Sequence, residues 1–556
     1  MAWLLERSGR DEVANLDTNQ LGIDEAFLTF DLGNRSQAWL YTLSEDCHKC
    51  PFELNSKIGH LESNVTKIST KHAWTLLLTE SDEGLFVKNS SSKICELQAS
   101  LGQFGIYNVK ADKCKIDVIS KPVNIYAPLI AVASLLVLIG VILGFISSVL
   151  NYCRKKQKFE PDRESSKPEN NVQRRRVSSL DTFRGISILL MIFVNDGAGG
   201  YQILEHVTWD GLQLADFVFP WFLWIMGVCI PISVKSQLKR KSNKFLVLIS
   251  IFKRSCILFG LGVMLNTLGV GPKLETLRIF GVLQRFGILY FLTAGICTIF
   301  WPTNLKTTGR FLDLRTLFPQ WIVHLLLHAA HLLIVFLYKI PGCPTGYFGP
   351  GGISENGLYV NCTGGVSAYL DKLILGGQTH LYQNPTTKFV YKTGPFDPEG
   401  PYGCLPSLLT VFLGVQAGAI LLLYKKSSER LVRWFLWGAV CLVSGFAISI
   451  IIPINKNLWS TTFSLCTSGS AFLVLVLCYI LIDKISLWNG APFLYPGMNA
   501  TIMYVGHMVA YQLWPWHWSF GRMDTHLILL VEALWGVGLW TIIAYILFRK
   551  KFFLSI

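Results

Sequence analysis

The stretch that decides the fold reads Asp181-Thr-Phe-Arg-Gly185, then an apolar run that ends at Asn195, then Glu205-His-Val-Thr-Trp-Asp-Gly211 and Ala215-Asp-Phe-Val-Phe-Pro-Trp-Phe222. Two segments of membrane length flank a short polar turn, and this turn carries one histidine, His206. An imidazole changes its charge near neutral pH, and polar residues at membrane depth are costly unless they have partners or line a cavity. The stretch therefore predicts a membrane protein with an acid–base or nucleophilic centre at one membrane face.

The composition of the 556-residue chain is typical of a polytopic α-helical membrane protein, because 51% of the residues are hydrophobic and only 15% are charged. The net charge of +14 does not indicate a nucleic-acid partner. The basic residues lie between the hydrophobic segments, as topology signals do, and form no continuous binding stripe. We therefore expect no nucleic acid among the partners.

Eleven segments are apolar enough to cross a membrane, which requires about 20 residues of helix. The basic clusters follow odd-numbered segments, and loops rich in lysine and arginine stay in the cytosol. This pattern predicts a luminal N-terminal domain and a cytosolic C-terminus. The predicted spans are 126–150, 182–200, 212–234, 245–268, 278–301, 320–340, 405–424, 430–454, 458–483, 493–518 and 526–548.

The chain divides into four predicted regions. Residues 1–124 show short alternating apolar runs broken by Gly, Asn and Ser, which favours a luminal β-rich domain of the sandwich type. The first transmembrane helix, 125–150, and a basic cytosolic linker, 151–180, follow this domain. Residues 181–556 form a transmembrane domain of ten helices with a large luminal loop, 341–404.

The start of the chain does not have the apolar core of a secretory signal, although a luminal domain of this size normally needs one. We expect that the true start is missing. The alternative is that the first span acts as a reverse anchor.

Cysteines and glycosylation sequons share the predicted luminal side. The four cysteines of the N-terminal domain favour structural disulfides in an oxidising compartment, and three pairings are open. A redox-active pair or a zinc site remains an alternative for the Cys47-His-Lys-Cys50 motif. The candidate disulfide cysteines are Cys47, Cys50, Cys95, Cys114, Cys343 and Cys362, and the candidate glycosylation sites are Asn34, Asn64, Asn89 and Asn361.

Several cationic side chains lie inside predicted helices, where they suit a ligand that carries phosphate. The alternative for each is a salt bridge or a side chain that reaches the lipid headgroups. A second group of polar residues lies at the same predicted membrane face as His206. The candidate binding residues are Arg184, Lys253, Arg254 and Arg285 in the first group, and Asp216, Asn455, Lys456 and His507 in the second.

His324, His328 and His331 have i, i+4 and i+7 spacing, so one face of the sixth predicted helix carries all three. No HExxH pattern or carboxylate partner accompanies them, and we predict no metal site. A polar or packed helix face is the preferred interpretation.

The stretches Asp181–Gly185, His206–Gly211 and Ala215–Phe222 closely resemble segments of the heparan-α-glucosaminide N-acetyltransferase family. The resemblance covers the chain from about residue 178 onward, and the N-terminal domain is similar mainly through its cysteines. This chain differs in its His206-Val-Thr-Trp-Asp-Gly211 motif, in Asp196 and in the histidine row. Further segments that carry the resemblance are Pro341-Gly-Cys-Pro-Thr-Gly-Tyr347, Asn361-Cys-Thr-Gly-Gly365, Phe396-Asp-Pro-Glu-Gly400, Asn455-Lys-Asn-Leu-Trp-Ser460 and Tyr495-Pro-Gly-Met-Asn499.

The resemblance implies a transferase that moves acetyl from cytosolic acetyl-CoA to the terminal non-reducing α-D-glucosamine of heparan sulfate in the lysosomal lumen. Acetyl-CoA is then a co-substrate, and no permanently bound cofactor is expected. The family's catalytic histidine corresponds to His206 and its catalytic asparagine to Asn195. Membrane lipid is an expected partner, and a homodimer is allowed.

This chemistry joins a donor that cannot cross the membrane to an acceptor confined to the other side. We expect Arg184, Lys253 with Arg254, or Arg285 to hold the coenzyme A phosphates. His206 then either accepts the acetyl group or takes a proton from the amine, and Asn195 stabilises the oxyanion. The alternatives are a transmembrane acyltransferase for another glycan and a solute transporter.

Overall fold

The structure is a computed structural model that describes residues 12–13, 16–59, 64–157, 177–241, 243–268, 271, 273–302, 309 and 311–554. Most of the predicted cytosolic linker and the start of the chain lie outside these residues. The N-terminal part is built of strands. They are β1 (Glu12–Val13), β2 (Leu16–Asp17), β3 (Glu25–Asp31), β4 (Gln37–Ser44), β5 (Phe52–Gly59), β6 (Val65–Ser69), β7 (Trp74–Thr79), β8 (Phe86–Val87), β9 (Lys93–Ala99), β10 (Ile106–Lys110) and β11 (Lys115–Ser120).

Two sheets face each other in this β-domain, as the alternating apolar pattern predicts. One sheet has the order β11-β10-β3-β6 and the other has the order β8-β5-β4-β7-β9. Leu28 of β3, Leu40 of β4 and Leu76 of β7 meet in a shared buried core. A disulfide between Cys95 of β9 and Cys114, in the β10–β11 turn, ties one sheet to the other. The predicted β-rich domain is confirmed.

Helices make up the rest of the described chain. Ten of them are long and apolar enough to cross a membrane, and ten of the eleven predicted spans therefore correspond to single helices among the described residues. The helices are α1 (Tyr126–Gln157), α2 (Ser178–Asn195), α3 (Val218–Lys241), α4 (Lys244–Asn266), α5 (Val282–Phe300), α6 (Leu312–Leu337), α7 (Gly365–Ile374), α8 (Thr386–Val390), α9 (Cys404–Leu423), α10 (Ser427–Ile448), α11 (Thr461–Cys478, with a π-helical end over Tyr479–Lys484), α12 (Leu494–Met498), α13 (Ala500–Val509) and α14 (His526–Arg549).

The predicted span 493–518 differs from the other ten, because it is divided into the short helices α12 and α13. The division falls at Asn499, whose backbone (φ −128°, ψ 35°) is not helical. Its side chain instead binds the C-terminal segment, donating to the carbonyl of Phe552 at 3.0 Å and accepting from the amide of Leu554 at 3.1 Å. The prediction of one continuous helix there is wrong, since side-chain bonds to a distant segment replace the helical pattern.

The helix bundle is closed around α9, which is buried on nearly all sides. Small residues bring its backbone close to α3: a Cβ added at Gly227 would lie 2.0 Å from the carbonyl oxygen of Val411. The same close approach joins α2 to α12, where a Cβ on Gly185 would lie 1.7 Å from the carbonyl oxygen of Phe493. Helices in lipid associate through such small residues.

The β-domain rests on one end of the bundle, here called the domain face; the opposite end is the far face. The long loop 338–403 lies on the domain face as well, because Ser354 Oγ donates to the carbonyl of His48 at 3.1 Å. The candidate disulfide cysteines of these parts are paired: Cys47 with Cys50, within one of the three arrangements left open for the β-domain, and Cys343 with Cys362 in this loop. All four predicted glycosylation sites are exposed and belong to these two parts of the chain. Their modification remains a prediction.

Candidate active site

The loop between α2 and α3 carries His206 and is held by two other parts of the chain. Asp46 of the β-domain accepts a hydrogen bond from Thr208 Oγ1 at 2.8 Å. The long loop accepts another, from Trp209 Nε1 to the carbonyl of Phe348 at 2.8 Å. The position of His206 therefore depends on contacts made by segments that are far apart in the sequence.

A third segment, the loop before α11, pairs with this turn directly. Asn455 is fully buried and donates from Nδ2 to Asp210 Oδ1 at 3.0 Å. The two residues also form an isolated antiparallel β-bridge. This pairing carries the next residue, Lys456, to the imidazole of His206. The predicted cluster of Asn455 and Lys456 near His206 is thus present in the structure.

His206, Asp216 and Lys456 form a compact charged group at the domain face. His206 Nδ1 lies 2.8 Å from Asp216 Oδ1, and Lys456 Nζ lies 2.9 Å from His206 Nδ1 and 3.4 Å from the same carboxylate oxygen. The other oxygen of Asp216 accepts from the backbone amides of Gln213 at 3.0 Å and Val207 at 3.4 Å. Asp216 is fully buried, so its charge is balanced by these donors.

The contacts of Asp216 determine which nitrogen of His206 is basic. An ionised carboxylate can only accept hydrogen bonds, so the 2.8 Å contact requires the proton on Nδ1. Nε2 then carries the lone pair of the neutral ring, and the ammonium of Lys456, 3.3 Å away, donates to it. The side chain of His206 is 44% exposed, in contrast to its buried carboxylate partner. This pair orients an imidazole for use as a base or a nucleophile.

Asn195 ends α2 and also faces the same space, with its amide held by a second histidine. Its Nδ2 lies 2.9 Å from His507 Nε2, while His507 Nδ1 lies 3.2 Å from the carbonyl of Met503. Since the carbonyl needs a proton on Nδ1, Nε2 of His507 accepts from Asn195. One N–H of the Asn195 amide is therefore fixed by His507, and the second N–H is left for another acceptor.

A cavity of about 670 Å³ connects these groups with the far face of the bundle. Its volume lies within the range of sites for small molecules and cofactors. Most of its wall is apolar. Its half nearer the far face, here called the far end, carries Arg184 and also Arg254, which is about midway along α4. The polar residues that line it include Arg184, Asn195, His206, Ser233, Arg254, Glu399, Lys456, Thr501 and Tyr504.

Comparison with known proteins assigns the chain that forms this site to a family. No family model matches the sequence. The chain is 36% identical to heparan-alpha-glucosaminide N-acetyltransferase of Homo sapiens, with 99% of this chain and 92% of the relative covered. It is 34% identical to the enzyme of the same name from Mus musculus, with 98% and 90% covered. The chain belongs to the heparan-alpha-glucosaminide N-acetyltransferase family.

In this family member, the candidate cations at the far end of the cavity have different surroundings. Arg184 is half-buried, and its guanidinium donates to Asp181 Oδ1 at 3.2 Å and to the carbonyl of Gly497 at 3.1 Å. Arg254 is exposed to the cavity and lies over the ring of Tyr290, 4.7 Å from its centroid. The adjacent Lys253 is also exposed, but it is not among the described residues that line the cavity.

Arg285 is placed differently from the other candidate cations, because it lies at the domain face and is buried. Its Nη2 donates to the carbonyl of Pro398 at 2.9 Å and to that of Gly400 at 3.1 Å. It also lies 5.2 Å from the centroid of the Trp459 ring. These contacts hold the segment around residue 399 and leave Arg285 away from the far end of the cavity.

The three histidines of α6 take separate partners. His324 Nδ1 lies 2.8 Å from the carbonyl of Gln320, His328 Nε2 lies 3.0 Å from Thr461 Oγ1, and His331 Nδ1 lies 3.0 Å from the Tyr402 hydroxyl. All three rings are buried inside the bundle. Within the described parts of the chain, no group of three or more metal-ligating side chains is close enough to hold an ion.

Glu399 also lines the cavity at the domain face, and it is not among the site residues predicted from the sequence. Glu399 Oε2 accepts from Arg278 Nη2 at 2.8 Å, and Arg278 in turn pairs with buried Asp397 at 2.6 Å. The only signal in the sequence was the motif Phe396-Asp-Pro-Glu-Gly400, which carried the family resemblance. A carboxylate in a long loop gives no sign that it will face a distant histidine.

A second charged group lies directly behind Asn195. Asp196, the next residue, lies 3.3 Å from His517 Nε2, and Glu532 lies 2.7 Å from Nδ1 of the same ring. Burial raises the pKa of Asp196 to about 7, an effect that His517 opposes and Glu532 reinforces. Two carboxyl groups thus share one imidazole next to the candidate catalytic asparagine.

Proposed function

We propose that this protein transfers the acetyl group of cytosolic acetyl-CoA to the terminal non-reducing α-D-glucosamine of heparan sulfate. The observation that carries this proposal is the single cavity, which has arginines at its far end and the oriented imidazole of His206 at the domain face. A thioester donor and a glycan acceptor can then meet from opposite sides. Membership of the enzyme family supports the glucosaminide acceptor and the transfer of an acetyl group to nitrogen.

The far end of the cavity suits the anionic part of the donor. Arg184 and Arg254 offer guanidinium groups, which bind phosphate through several parallel hydrogen bonds. The apolar wall between α2 and α3 then receives the pantetheine arm, and the thioester carbonyl reaches the space between Asn195 and His206. The free N–H of Asn195 is available to the oxygen that becomes negative when the carbonyl is attacked.

In a ternary complex, His206 Nε2 takes a proton from the glucosamine ammonium. The amine nitrogen attacks the acetyl carbon, the C–N bond forms, the C–S bond breaks, and the coenzyme A thiolate receives the proton from His206. The second proton of the amine leaves to solvent. In the alternative route, His206 Nε2 attacks the thioester carbon, the C–S bond breaks, and the coenzyme A thiolate leaves and takes one proton from the glucosamine ammonium. The neutral amine then attacks the acetyl-histidine, the bond from the acetyl carbon to Nε2 breaks, and the second amine proton leaves to solvent.

Isotope exchange separates the two routes. Acetyl-histidine formation predicts exchange of labelled coenzyme A into acetyl-CoA by the purified protein without any sugar. A protein that acetylates sugar but shows no such exchange follows the ternary route.

We assign the protein to the lysosomal membrane, with the domain face in the lumen and the C-terminus in the cytosol. The exposed sequons on the β-domain and on the loop 338–403 support this orientation. In sealed organelles, glycans on these sites resist an added glycosidase until detergent opens the membrane. Removal of the glycans without detergent would reverse the orientation.

The deciding assay uses the full chain in detergent, labelled acetyl-CoA and a glucosamine-terminated heparan oligosaccharide. Label that becomes covalently attached to the sugar nitrogen supports an acetyltransferase, since a transporter has no activity without a sealed membrane. A folded protein that binds coenzyme A and leaves every glucosamine acceptor unlabelled would overturn the proposal.

A further inference from the structure

Glu399 is the only acidic side chain among the described residues that line the cavity. It enters the cavity at the domain face, from the loop that precedes α9. Its Oε2 is bonded to Arg278, whereas the hydrogen bonds of the described residues leave Oε1 without a donor. Among the described residues that line the cavity, this carboxylate is thus accompanied by the cations Arg184, Arg254 and Lys456.

The carboxylate is held in a fixed position. Arg278 forms a fork between Glu399 and Asp397, at distances of 2.8 Å and 2.6 Å, and its guanidinium lies 4.5 Å from the ring centroid of Tyr382. The backbone on both sides of Glu399 is fixed as well, since Arg285 binds the carbonyls of its two neighbours. A fixed side chain is the kind of group that recognises a ligand without loss of entropy on binding.

Glu399 stays ionised in an acidic compartment. Burial opposes its ionisation, but the positive charges of Arg278, Arg285 and Lys456 outweigh burial and hold the pKa of this carboxyl below its ordinary value. A carboxylate that resists protonation is a poor proton acceptor and a good partner for a cation. Its chemistry therefore fits recognition, while the proton is left to His206.

Glu399 lies at the same end of the cavity as His206, the candidate base or nucleophile. Burial lowers the pKa of Lys456, and the negative charges of both Asp216 and Glu399 oppose this effect. Lys456 Nζ also lies 2.9 Å from His206 Nδ1. Asp216, the other nearby carboxylate, already has both oxygens bonded to protein groups. Of these two carboxylates, only Glu399 retains an oxygen for a ligand at the His206 end.

We propose that Glu399 binds the ammonium group of the acceptor amino sugar and presents it to His206 Nε2; this inference rests on the proposed acetyl transfer. An amine is protonated in an acidic lumen, and a cation that enters a space lined by Lys456 and arginines needs an anion to offset its desolvation. The ammonium gives one proton to His206, and the neutral amine then attacks the acetyl carbon. Glu399 loses and gains no proton in the step.

The test compares two sugars that differ only at one group. Methyl α-D-glucosaminide carries the ammonium, and methyl α-D-glucoside carries a hydroxyl in its place. We expect wild type to bind the amino sugar about 10- to 100-fold more tightly, the range of a charge-assisted hydrogen bond. In Glu399→Gln this preference falls to within about threefold, because the amide keeps the shape and loses the charge.

Two further variants make the result specific. Glu399→Asp keeps the charge with a shorter reach, and it should retain an intermediate preference. Glu355→Gln, the same change at a residue of the same loop that pairs with Lys49 at 3.8 Å, keeps the wild-type preference. Binding of coenzyme A, measured by calorimetry, remains within twofold in all three, which shows that the loss is confined to the acceptor.

A Glu399→Gln protein that prefers the amino sugar as strongly as wild type does would overturn the inference. The sugar preference is measured by equilibrium binding, so it remains informative even where no acetyl transfer is observed. If Glu399→Gln does not bind coenzyme A, the comparison of Glu399→Asp with wild type decides, and an unchanged preference there counts against the role. Wild type that transfers no acetyl would instead overturn the proposed function.

Discussion

The two ends of the cavity are built in different ways. At the domain face, His206, Asp216 and Lys456 are joined by contacts of 2.8–3.4 Å, and three other segments of the chain hold the loop that carries His206. At the far end, Arg254 has a side chain that is exposed to the cavity, and its guanidinium lies over the face of Tyr290. One end is fixed before a ligand arrives. The other combines Arg184, which is held by Asp181 and Gly497, with Arg254, whose side chain can adjust.

This difference corresponds to what each end has to do in an acetyl transfer. Chemistry between a thioester and an amine requires groups that are positioned to within a fraction of an ångström, and a fixed network supplies that order. Binding of a flexible phosphate-bearing tail requires charge more than order. The fixed end is therefore where substitutions should change the rate, and the adjustable end is where they should change affinity.

The largest expected effect is on the rate, at the fixed end. His206→Ala removes the base or nucleophile, and we expect kcat to fall at least about 10³-fold, near the upper range for one acid–base group. Acetyl-CoA binding should stay within threefold, because the phosphates are held at the other end. Steady-state transfer to labelled oligosaccharide measures the first quantity and calorimetry the second. An alanine variant with wild-type kcat would exclude His206 from the reaction.

Raising the pH should lower the stability of the folded protein, because the buried Asp196 at the fixed end must then ionise. Its pKa is raised by burial to about 7 in the folded protein, whereas an unfolded aspartate ionises near pH 4. The folded state thus binds more protons between these values, so stability falls as pH rises from about 4 to 7. Asp196→Asn cannot ionise, and we expect it to gain up to about 4 kcal/mol over wild type across this window.

Thermal unfolding of both proteins at several pH values measures this gain. The difference in melting temperature should be small near pH 4, grow towards pH 7 and then remain level. A difference that is constant with pH would show that the folded Asp196 ionises at its ordinary pH. His507→Gln serves as a companion variant, since it alters the other partner of the same helix end without removing a carboxyl group.

The adjustable end offers a matched pair of neighbouring residues. Arg254 lines the cavity and Lys253 does not, although both are exposed cations on α4. We expect Arg254→Leu to raise the KM for acetyl-CoA roughly tenfold, the value of one charge-assisted contact, with kcat within threefold. Lys253→Leu should leave both parameters within twofold. Equal effects of the two substitutions would mean that general charge, and not a contact in the cavity, attracts the donor.

The sequence predicted the helices better than it predicted which side chains meet. Hydrophobic length is a local property, and ten spans could be located from it. The break at Asn499 could not, because the amide of that residue is satisfied by residues 552 and 554, more than fifty positions away. Local patterns do not contain such contacts.

The site shows the same limit. His206 was predicted because it lies in the polar turn between two apolar segments, and Asn195 because it ends one of them; the family resemblance implied the catalytic role of both. Their neighbours Asp216 and Lys456 were selected by their membrane face. Lys253 and Arg254 are adjacent and chemically similar, so only helix packing distinguishes the one that lines the cavity. Glu399 was missed because its role depends on a pairing with Arg278, which is 121 residues earlier in the chain.

The smallest expected effect concerns the contact that ties the β-domain to the fixed end. Thr208→Val removes the hydrogen bond to Asp46, keeps the shape of the side chain, and should cost about 1 kcal/mol of stability. Because the loop of His206 is then held by fewer contacts, we expect kcat to fall a few-fold while the KM for acetyl-CoA is unchanged. Thr29→Val, which removes a hydrogen bond to Asn108 within the β-domain, is the control and should leave kcat unaltered. If both variants keep wild-type kcat, the β-domain does not help to position the catalytic loop, and the order of the fixed end comes from the helices and their connecting loops alone.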